Sequence, residues 1–532
     1  MTRIYQPLRK DMTLEERFHA YDSARDRVMD RARDHAVFTL PRLLESNFEH
    51  YPPGLDDLDL AELFWHKPGQ NAVQLANKLT NAIFPANGTP FHEFVFSREL
   101  KDLKAAGRID DVQWEAMDRM RVSVENDVHS DLQSSNFRSQ LFLSILKVII
   151  LPNDLLFMDD DGNFRSYRID TFVIRRDITG TVAEIITVDW VEADLLPDNI
   201  KEIKSAKGNK EGERYEPLYT QLKRDNNTGD WKGVREFRET KYEEASYKKD
   251  ELPYFLLQWN LSTGEDYGTS LVEQVFGLIR SGEATAKALV EGLAAGSSGY
   301  MAVSPTGITA IEDVEGRPNW SWVTARQEDV FALQPDTSRT VVTAEAALRM
   351  MEEDLDEAFM TNASARLTGE RVTAYQVDSV KTDQDESMGG MLTLIASDVQ
   401  RPVVLRRLAV REEQNKLPPG FKTLLDAGAI QLKIKTGLDA LGRQLDTLRL
   451  TSVAQTIGEL AAVFPAMAEK LKGENIAEDL IKNSGLDVER YAYTLEEIQQ
   501  KRQAQQQQAV QQAAAGQAIQ SAGAIVEKQL GG

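Results

Sequence analysis

Asn362-Ala363-Ser364-Ala365-Arg366-Leu367-Thr368-Gly369-Glu370-Arg371 lies between two helical patterns, and its reading decides the architecture. Before it, Val341, Ala344, Leu348, Met351, Leu355 and Phe359 recur at three- and four-residue steps, one face of a helix beginning near Ser338. After it, Thr373-x-x-Gln376 has the form of a capping box, and the helical pattern persists to about Asn415. Forty or so residues at a helical rise would span about 60 Å. Gly389-Gly390 and Pro402 fall inside that span, so a bent helix is expected rather than a straight one.

Upstream, Ser270-x-x-Glu273 reads as a second capping box. Apolar residues at 272, 275, 276, 279, 286, 289, 290 and 293 line one stripe, and Gly296 is a plausible stop. Residues 299 to 335 have β character: Tyr300 to Val303, a turn at Pro305-Thr306-Gly307, Trp320 to Val323, and Val330 to Leu333. The chain therefore runs out along one helix, makes a small β insert, and returns along another.

Towards the N-terminus, residues 12 to 40 are helical, opened by Thr13-x-x-Glu16 and carrying Phe18, Tyr21, Val28 and Phe38 on a loose stripe. Residues 45 to 60 are rich in Pro and Asp and read as loop. Helices follow at about 69 to 83, stopping before Pro85, and at about 110 to 130. Leu141 to Leu151 is the most apolar stretch, but Lys147 interrupts it and it is too short to span a bilayer, so it is a buried helix or strand. From 155 to 260 the pattern changes to short β runs, at Phe164 to Ile174, Val182 to Val191 and Tyr254 to Trp259, separated by turns at Asp160-Asp161-Gly162 and Thr179-Gly180. Lys201 to Lys210 reads as a solvated loop. Residues 418 to 532 are largely helical, with a Gln- and Ala-rich tail from Thr494 that is either an amphipathic helix ordered in an assembly or disordered.

At 532 residues the chain can hold two or more packed domains. Cysteine is absent, which removes disulfides and thiolate metal sites and suits a reducing cytoplasm. The first residues have no apolar secretion core. A net charge of −22 argues against tight DNA binding, which takes clustered Lys and Arg, and does not exclude DNA passing nearby.

Catalytic patterns are missing. There is no phosphate-binding G-x-x-x-x-G-K-[S/T] loop, and Gly292, Gly296 and Gly299 read as the end of a helix. The six histidines are scattered. Asp159 to Asn163 glances at a calcium loop but reads better as an acidic β-turn. Asp170, Asp177, Glu184 and Asp189 belong to a nuclease-like metal cluster only if strand faces bring them together. Arg366 and Arg371, taken alone, are solvated charges or partners of Glu370 and Asp378. Cyclic symmetry would multiply either one into a ring of like charge, unfavourable without a polyanion nearby.

The wording Arg366-x-Thr368-Gly369-Glu370-Arg371-Val372-Thr373-Ala374 resembles the tunnel loop and following helix of T7-like podovirus portal proteins, the head–tail connectors of short-tailed phages. The likeness extends along the chain. Gln74-Leu75-Ala76-Asn77-Lys78-Leu79 with Phe84-Pro85 resembles the family's N-terminal helix and its ending. Tyr267-Gly268-x-Ser270 resembles the approach to its first stem helix, and Pro305-Thr306-Gly307-Ile308 a turn of its clip. Thr436-Gly437-Leu438-x-Ala440-Leu441-Gly442-Arg443 resembles a motif near its C-terminal region.

The resemblance implies an α+β, mainly helical portal fold. Residues 1–267 would form the N-terminal wing, 268–296 and 338–361 the two-helix stem, and 297–337 a small β-containing clip. Residues 362–372 would form the tunnel loop, 373–416 a long kinked wing helix, 417–494 the crown, and 495–532 a C-terminal barrel helix or disordered tail. It further implies a homo-dodecameric ring without cofactor, bound metal or enzymatic activity. That ring would be assembled in the bacterial cytoplasm and set at one capsid vertex of the virion, with no membrane association. Double-stranded DNA would pass through it during packaging and ejection. Its partners would be the large terminase subunit, major capsid and scaffolding proteins, the tail adaptor, and internal core or ejection proteins. Arg371 would be the DNA-facing valve and Arg366 a second contact, with Ser364, Thr368, Gly369 and Glu370 completing the loop. Trp320 and Trp322 would anchor partners at the clip or be buried within it. The alternatives are another head–tail adaptor ring or a metal-dependent nuclease.

Overall fold

The computed structural model describes residues 12–44, 61–85, 90–207, 215–297, 300–313, 326, 328–333, 338–361 and 389–435. All belong to the compact unit formed by Met1–Pro85 and Pro90–Leu438. The expected tunnel loop at 362–372, Trp320, Trp322, the loop at 45–60 and everything after 435 lie outside the described residues.

The chain opens with helix α1 (Leu14–Ala24), capped as expected: the Glu16 amide donates to Thr13 Oγ1 at 3.2 Å and the Thr13 amide to Glu16 Oε2 at 3.1 Å. The single helix expected over 12 to 40 breaks at Arg25, and α2 (Asp26–Val37) follows. Arg25 is buried at the break, donating to Asp22 Oδ1 at 2.8 Å and to the Ile169 carbonyl at 2.7 Å. Next come α3 (Lys67–Ile83), β1 (His92–Phe96), α4 (Arg98–Ala105), α5 (Asp111–Ser134) and α6 (Phe137–Ile150). The apolar stretch around Lys147 is thus a helix. Its lysine is satisfied in the interior by Ser166 Oγ at 2.7 Å, the Tyr167 carbonyl at 2.8 Å and Asp154 Oδ1 at 3.3 Å.

Strands β2 (Asn153–Met158), β3 (Phe164–Tyr167), β4 (Phe172–Arg176) and β5 (Val182–Glu192) then alternate with tight turns. The run expected from Phe164 to Ile174 is two strands, split by a single turn of 3-10 helix at Ile169–Thr171. Asp159 to Asn163 forms the acidic turn, with Gly162 at φ +90°. Residues expected to be loop at Lys201 to Lys210 instead begin in a helix, α7 (Asp198–Lys207), and Lys204 pairs with buried Glu216 at 3.1 Å. Strands β6 (Tyr215–Arg224), β7 (Trp231–Phe237), β8 (Thr240–Tyr247) and β9 (Tyr254–Gln258) complete this part.

Strands β4 to β8 form an antiparallel meander in chain order, while β2 sits between β3 and β9 in a second sheet. Across the meander, Ile174, Ile185, Leu222, Gly233 and Ala245 stand in register. Ile174, Ile185 and Leu222 of that row face the main core. The opposite face carries Val173, Ile186, Val188 and Tyr219, covered by Leu14, Phe18 and Tyr21 of α1. Period two along each strand separates the two sets. Glu184, on the α1 side, is buried but paired with Arg17 at 3.0 Å, Tyr21 Oη at 2.7 Å and the Gln221 amide.

A long helix, α8 (Leu271–Ser297), leads out to β10 (Tyr300–Val303), which pairs with β11 (Val330–Leu333), and α9 (Ser338–Ala358) returns against α8. The start at Ser338 is the one expected. Ser270 Oγ accepts the Glu273 amide at 3.1 Å, but the Glu273 carboxylate pairs with Arg31 at 2.8 Å rather than closing a reciprocal box. The apolar stripe of α8 is buried at Val272, Ile279 and Ala286 and emerges to about half exposure at Val290 and Leu293.

The long helix expected after the loop is described from 389 onward. Before Pro402 its turn widens to π form at Ala396–Gln400, and the Arg401 amide bonds the Ala396 carbonyl five residues back. Proline supplies no N–H and its ring crowds the carbonyl four residues back, so a widened turn relieves both faults. The continuation, Arg401–Glu413, is clamped to α5: Arg407 and Arg411 reach Asp131 at 3.0 and 2.5 Å, and Arg411 reaches Asp127 at 2.8 Å. A short helix, Phe421–Asp426, and β12 (Ile430–Ile434) follow. That strand corrects the helical expectation for this region. It pairs with β1, His92 facing Ile434. The outer edge of β1 is sealed by α5 side chains: the Phe94 amide donates to Glu125 at 3.2 Å and its carbonyl accepts from Arg121 at 2.5 Å.

Two histidines are folded in neutral. Burial, then the Arg31 charge, lowers His35 from 6.5 to about 4. Burial, then His129 and Lys435, lowers His92 to about 3. The unfolded chain binds protons first, so both contributions are complete above pH 6.5 and decline as pH falls towards 4 and 3. We expect the urea midpoint to drop steadily below pH 6.5, and His92→Phe to flatten that drop. An unchanged slope in the variant would show that His92 is not a source of acid lability.

Candidate functional site at the base of the helical hairpin

The last described residues before the expected tunnel loop are those that end α9, so the candidate site is the platform from which the loop departs. Leu355 of α9 and Phe359 just beyond its end are fully buried in the main core. Beyond them the helix closes in a Schellman arrangement: the Thr361 amide bonds the Asp356 carbonyl at 2.9 Å and the Met360 amide the Glu357 carbonyl at 3.0 Å. Met360 takes the left-handed conformation, φ +54°, where glycine is the usual choice. Left-handed backbone in a non-glycine residue costs about 1 kcal/mol and persists only where neighbours enforce it.

The enforcing neighbours come from α3. Asp356 takes Lys67 Nζ at 2.9 Å, Asn71 Nδ2 at 2.7 Å and Thr361 Oγ1 at 3.2 Å. Lys78 Nζ donates to the Met360 carbonyl at 2.8 Å, and burial lowers its pKa from the usual lysine value. One carboxylate and one carbonyl thus tie the end of α9 to both ends of α3.

A second joint lies one turn higher. The indole of Trp65 is buried on α8, so close that a Cβ on Gly282 would come within 2.1 Å of its ring. The Phe64 and Trp65 amides each donate to the Glu283 carboxylate at 2.9 Å, and the indole N–H points to Glu352 of α9 at 3.4 Å. At the root of α8, the His35 ring stacks edge-on against Phe276 at 4.8 Å and lies 3.5 Å from Ser270 Oγ.

At the far end of the hairpin, Asp329 holds the Pro305-Thr306-Gly307 turn. Its Oδ2 accepts the amides of Ile308 and Thr309 at 2.9 and 3.2 Å and the Thr309 hydroxyl at 3.1 Å. Ile308 beside it is largely exposed.

None of the loop residues Ser364, Arg366, Thr368, Gly369, Glu370 and Arg371, nor Trp320 and Trp322, falls within the described residues. The four carboxylates considered for a metal cluster stand apart in function. Asp170 meets Arg168 at 3.1 Å, Asp177 caps its own turn through the Thr179 amide at 2.8 Å, Glu184 holds α1, and Asp189 pairs with Arg165 at 2.8 Å. Among the described residues no three His, Asp or Glu are grouped to hold a metal ion. No described helix is long and apolar enough to cross a membrane. The residues missed by sequence reasoning are Trp65, Gly282, Glu283, Glu352 and Asp356, which share the hairpin base.

A helical hairpin carrying a β ribbon at its tip, set in an α and β body, defines a structural scaffold. The family model for bacteriophage head to tail connecting protein matches residues 11–491, and the chain belongs to that family. The portal protein of Escherichia phage T7 is 26% identical over 485 residues, covering 88% of this chain and 86% of that protein. That of Enterobacteria phage T3 is 26% identical over 450 residues, covering 82% and 80%. That of Pseudomonas phage phiKMV is 24% identical over 508 residues, covering 92% and 94%. Among solved structures, the neck of a native GTA particle computed with C12 symmetry matches at a TM-score of 0.34 and 11% identity, over 79% of this chain and 90% of that one.

The Trp65 seat makes a paired prediction for the isolated protomer. Gly282→Ala should lower stability by about 1–3 kcal/mol through overpacking. Gly277→Ala, on the same helix with nothing within 4 Å of a Cβ, should raise it by about 0.5–1 kcal/mol. Thermal unfolding of the two variants measures both, and equal melting temperatures would contradict the seat.

Proposed function

We propose that the chain is the portal subunit of a short-tailed phage. Twelve copies form the ring at one capsid vertex through which double-stranded DNA enters the head and later leaves it. The observation that carries this reading is the family match over residues 11–491 on a chain whose described body contains a two-helix hairpin with a β ribbon at its tip. In that reading α8 and α9 are the stem, the β10–β11 ribbon belongs to the clip, and the rest of the described body up to residue 416 is the wing. The π turn before Pro402 supports a bend in the long wing helix at that point.

The clip end would dock the large terminase subunit during packaging and the tail adaptor afterwards. Scaffolding and major capsid proteins would meet the wing, and internal core or ejection proteins the crown at 417–494. Energy for translocation would come from the separate motor, consistent with a chain that has no phosphate-binding loop. Arg371 is the residue assigned to the valve in the tunnel loop, with Arg366 second. Twelve guanidinium groups around a bore would repel one another at a modest, salt-screened cost to the ring, and phosphate entering the bore would relieve that cost.

Two measurements test the proposal. Native mass spectrometry and particle averaging of the purified protein, with scaffold supplied, should give a closed ring of twelve, and a monomer under those conditions would overturn it. Arg371→Glu should leave that ring intact and reduce the DNA packaged or retained per head. Full genome content in the variant heads would remove Arg371 from the valve.

A further inference from the structure

About one residue in six of this chain is Asp or Glu. Helix α3, with 17 residues, contains neither, and α6, with 14 residues, contains neither. The two helices pack on each other. The exposed face of α3 carries Gln70, Gln74, Asn77 and Asn81, spaced four, three and four residues apart and so aligned along one side. Two cations border it. Lys78 donates to the Met360 carbonyl, and Arg138 of α6 donates to Asn81 Oδ1 at 2.5 Å and to the Phe84 carbonyl at 3.1 Å. Neither is paired with a carboxylate among the described residues.

Amide side chains offer N–H donors without the fixed charge that would hold a sliding polyanion in place. Unneutralised Lys and Arg supply a weak net attraction. On a chain of net charge −22, a surface of this composition is complementary to phosphate, and the same helix anchors the point where the chain departs towards the expected tunnel loop. We propose that the Gln70–Asn81 face of α3, with Lys78 and Arg138, is a second DNA-contacting surface of the ring, one that lines the path of the duplex backbone beside the loop root. This rests on the portal reading.

Site-specific photo-crosslinking in DNA-filled heads tests it. p-Benzoylphenylalanine would be placed at Asn77, at Gln74 as a second probe, at the expected tunnel-loop residue Thr368, and at the fully exposed turn residue Ile178 as a background control. The exposed α3 positions should tolerate the probe without loss of ring assembly. We expect protein–DNA adducts at 77, 74 and 368 and none at 178. Adducts at 368 with none at 77 and 74, or adducts at 77 and 74 only to protein, would overturn the α3 surface while leaving the portal reading in place. An absence of DNA adducts at 77, 74 and 368 in filled heads would likewise overturn the α3 surface, whereas heads that fill equally well without this chain would overturn the portal reading.

Discussion

The seat of Trp65 on α8 governs the rest of the described structure. The indole occupies space that only a glycine at 282 leaves open, and three carboxylates, Glu283, Glu352 and Asp356, take up the donors that surround it on the α3 side. The apolar contact fixes the distance between the hairpin and α3, and the hydrogen bonds fix its rotation. Charge-assisted bonds of this kind are short and directional. A hairpin held by side-chain packing alone would swing about its root. With Asp356 bound to Lys67 and Asn71, the last turn of α9 moves only if α3 moves. The left-handed Met360 is the consequence: the chain must turn there because both sides of the joint are fixed.

The same preference for fixed geometry over simple burial recurs in the body. Lys147 with Asp154, and Glu184 with Arg17, are ion pairs in places where apolar side chains would pack at least as favourably. Their value is in specifying one arrangement. Asp154 and Lys147 set the position of β2 and β3 against α6, and Glu184 sets α1 on the outer face of the meander. Removal of one partner leaves a buried charge, which costs several kcal/mol, whereas an exposed pair such as Glu345–Arg349 contributes little.

Much of the helical skeleton was legible in the sequence because caps and stripes are local. Thr13, Pro85 and Ser338 mark boundaries by chemistry that acts within one turn. What failed was non-local or weakly apolar. Strand β12 pairs with β1 across most of the chain, and nothing in residues 430 to 434 announces a partner near residue 92. Strand β8, an edge strand of the meander, reads Thr-Lys-Tyr-Glu-Glu-Ala-Ser-Tyr, a half-exposed pattern with little apolar signal. Helix α7 buries Ile200 and packs Ile203 against it, too short a stripe to separate it from a charged loop. The candidate site was hidden for a different reason. Asp356 is one acid in the run Glu352-Glu353-Asp354-Leu355-Asp356-Glu357, and its role comes from α3, some 285 residues away.

That distribution of acid bears on how one chain can be both strongly negative and compatible with DNA. A uniform spread of carboxylates would repel phosphate equally everywhere and give the duplex no preferred path. Leaving the packed pair α3 and α6 free of acid, while α1, α5 and α9 are rich in it, makes the charge uneven across one protomer. In the proposed ring, cyclic repetition would repeat that unevenness at every subunit. Amides and isolated cations make shallow wells, since each phosphate contact is weak and is replaced by the next as the helix advances. Deep wells would come from clustered arginine, and no described element of this chain places such a cluster on an acid-free face.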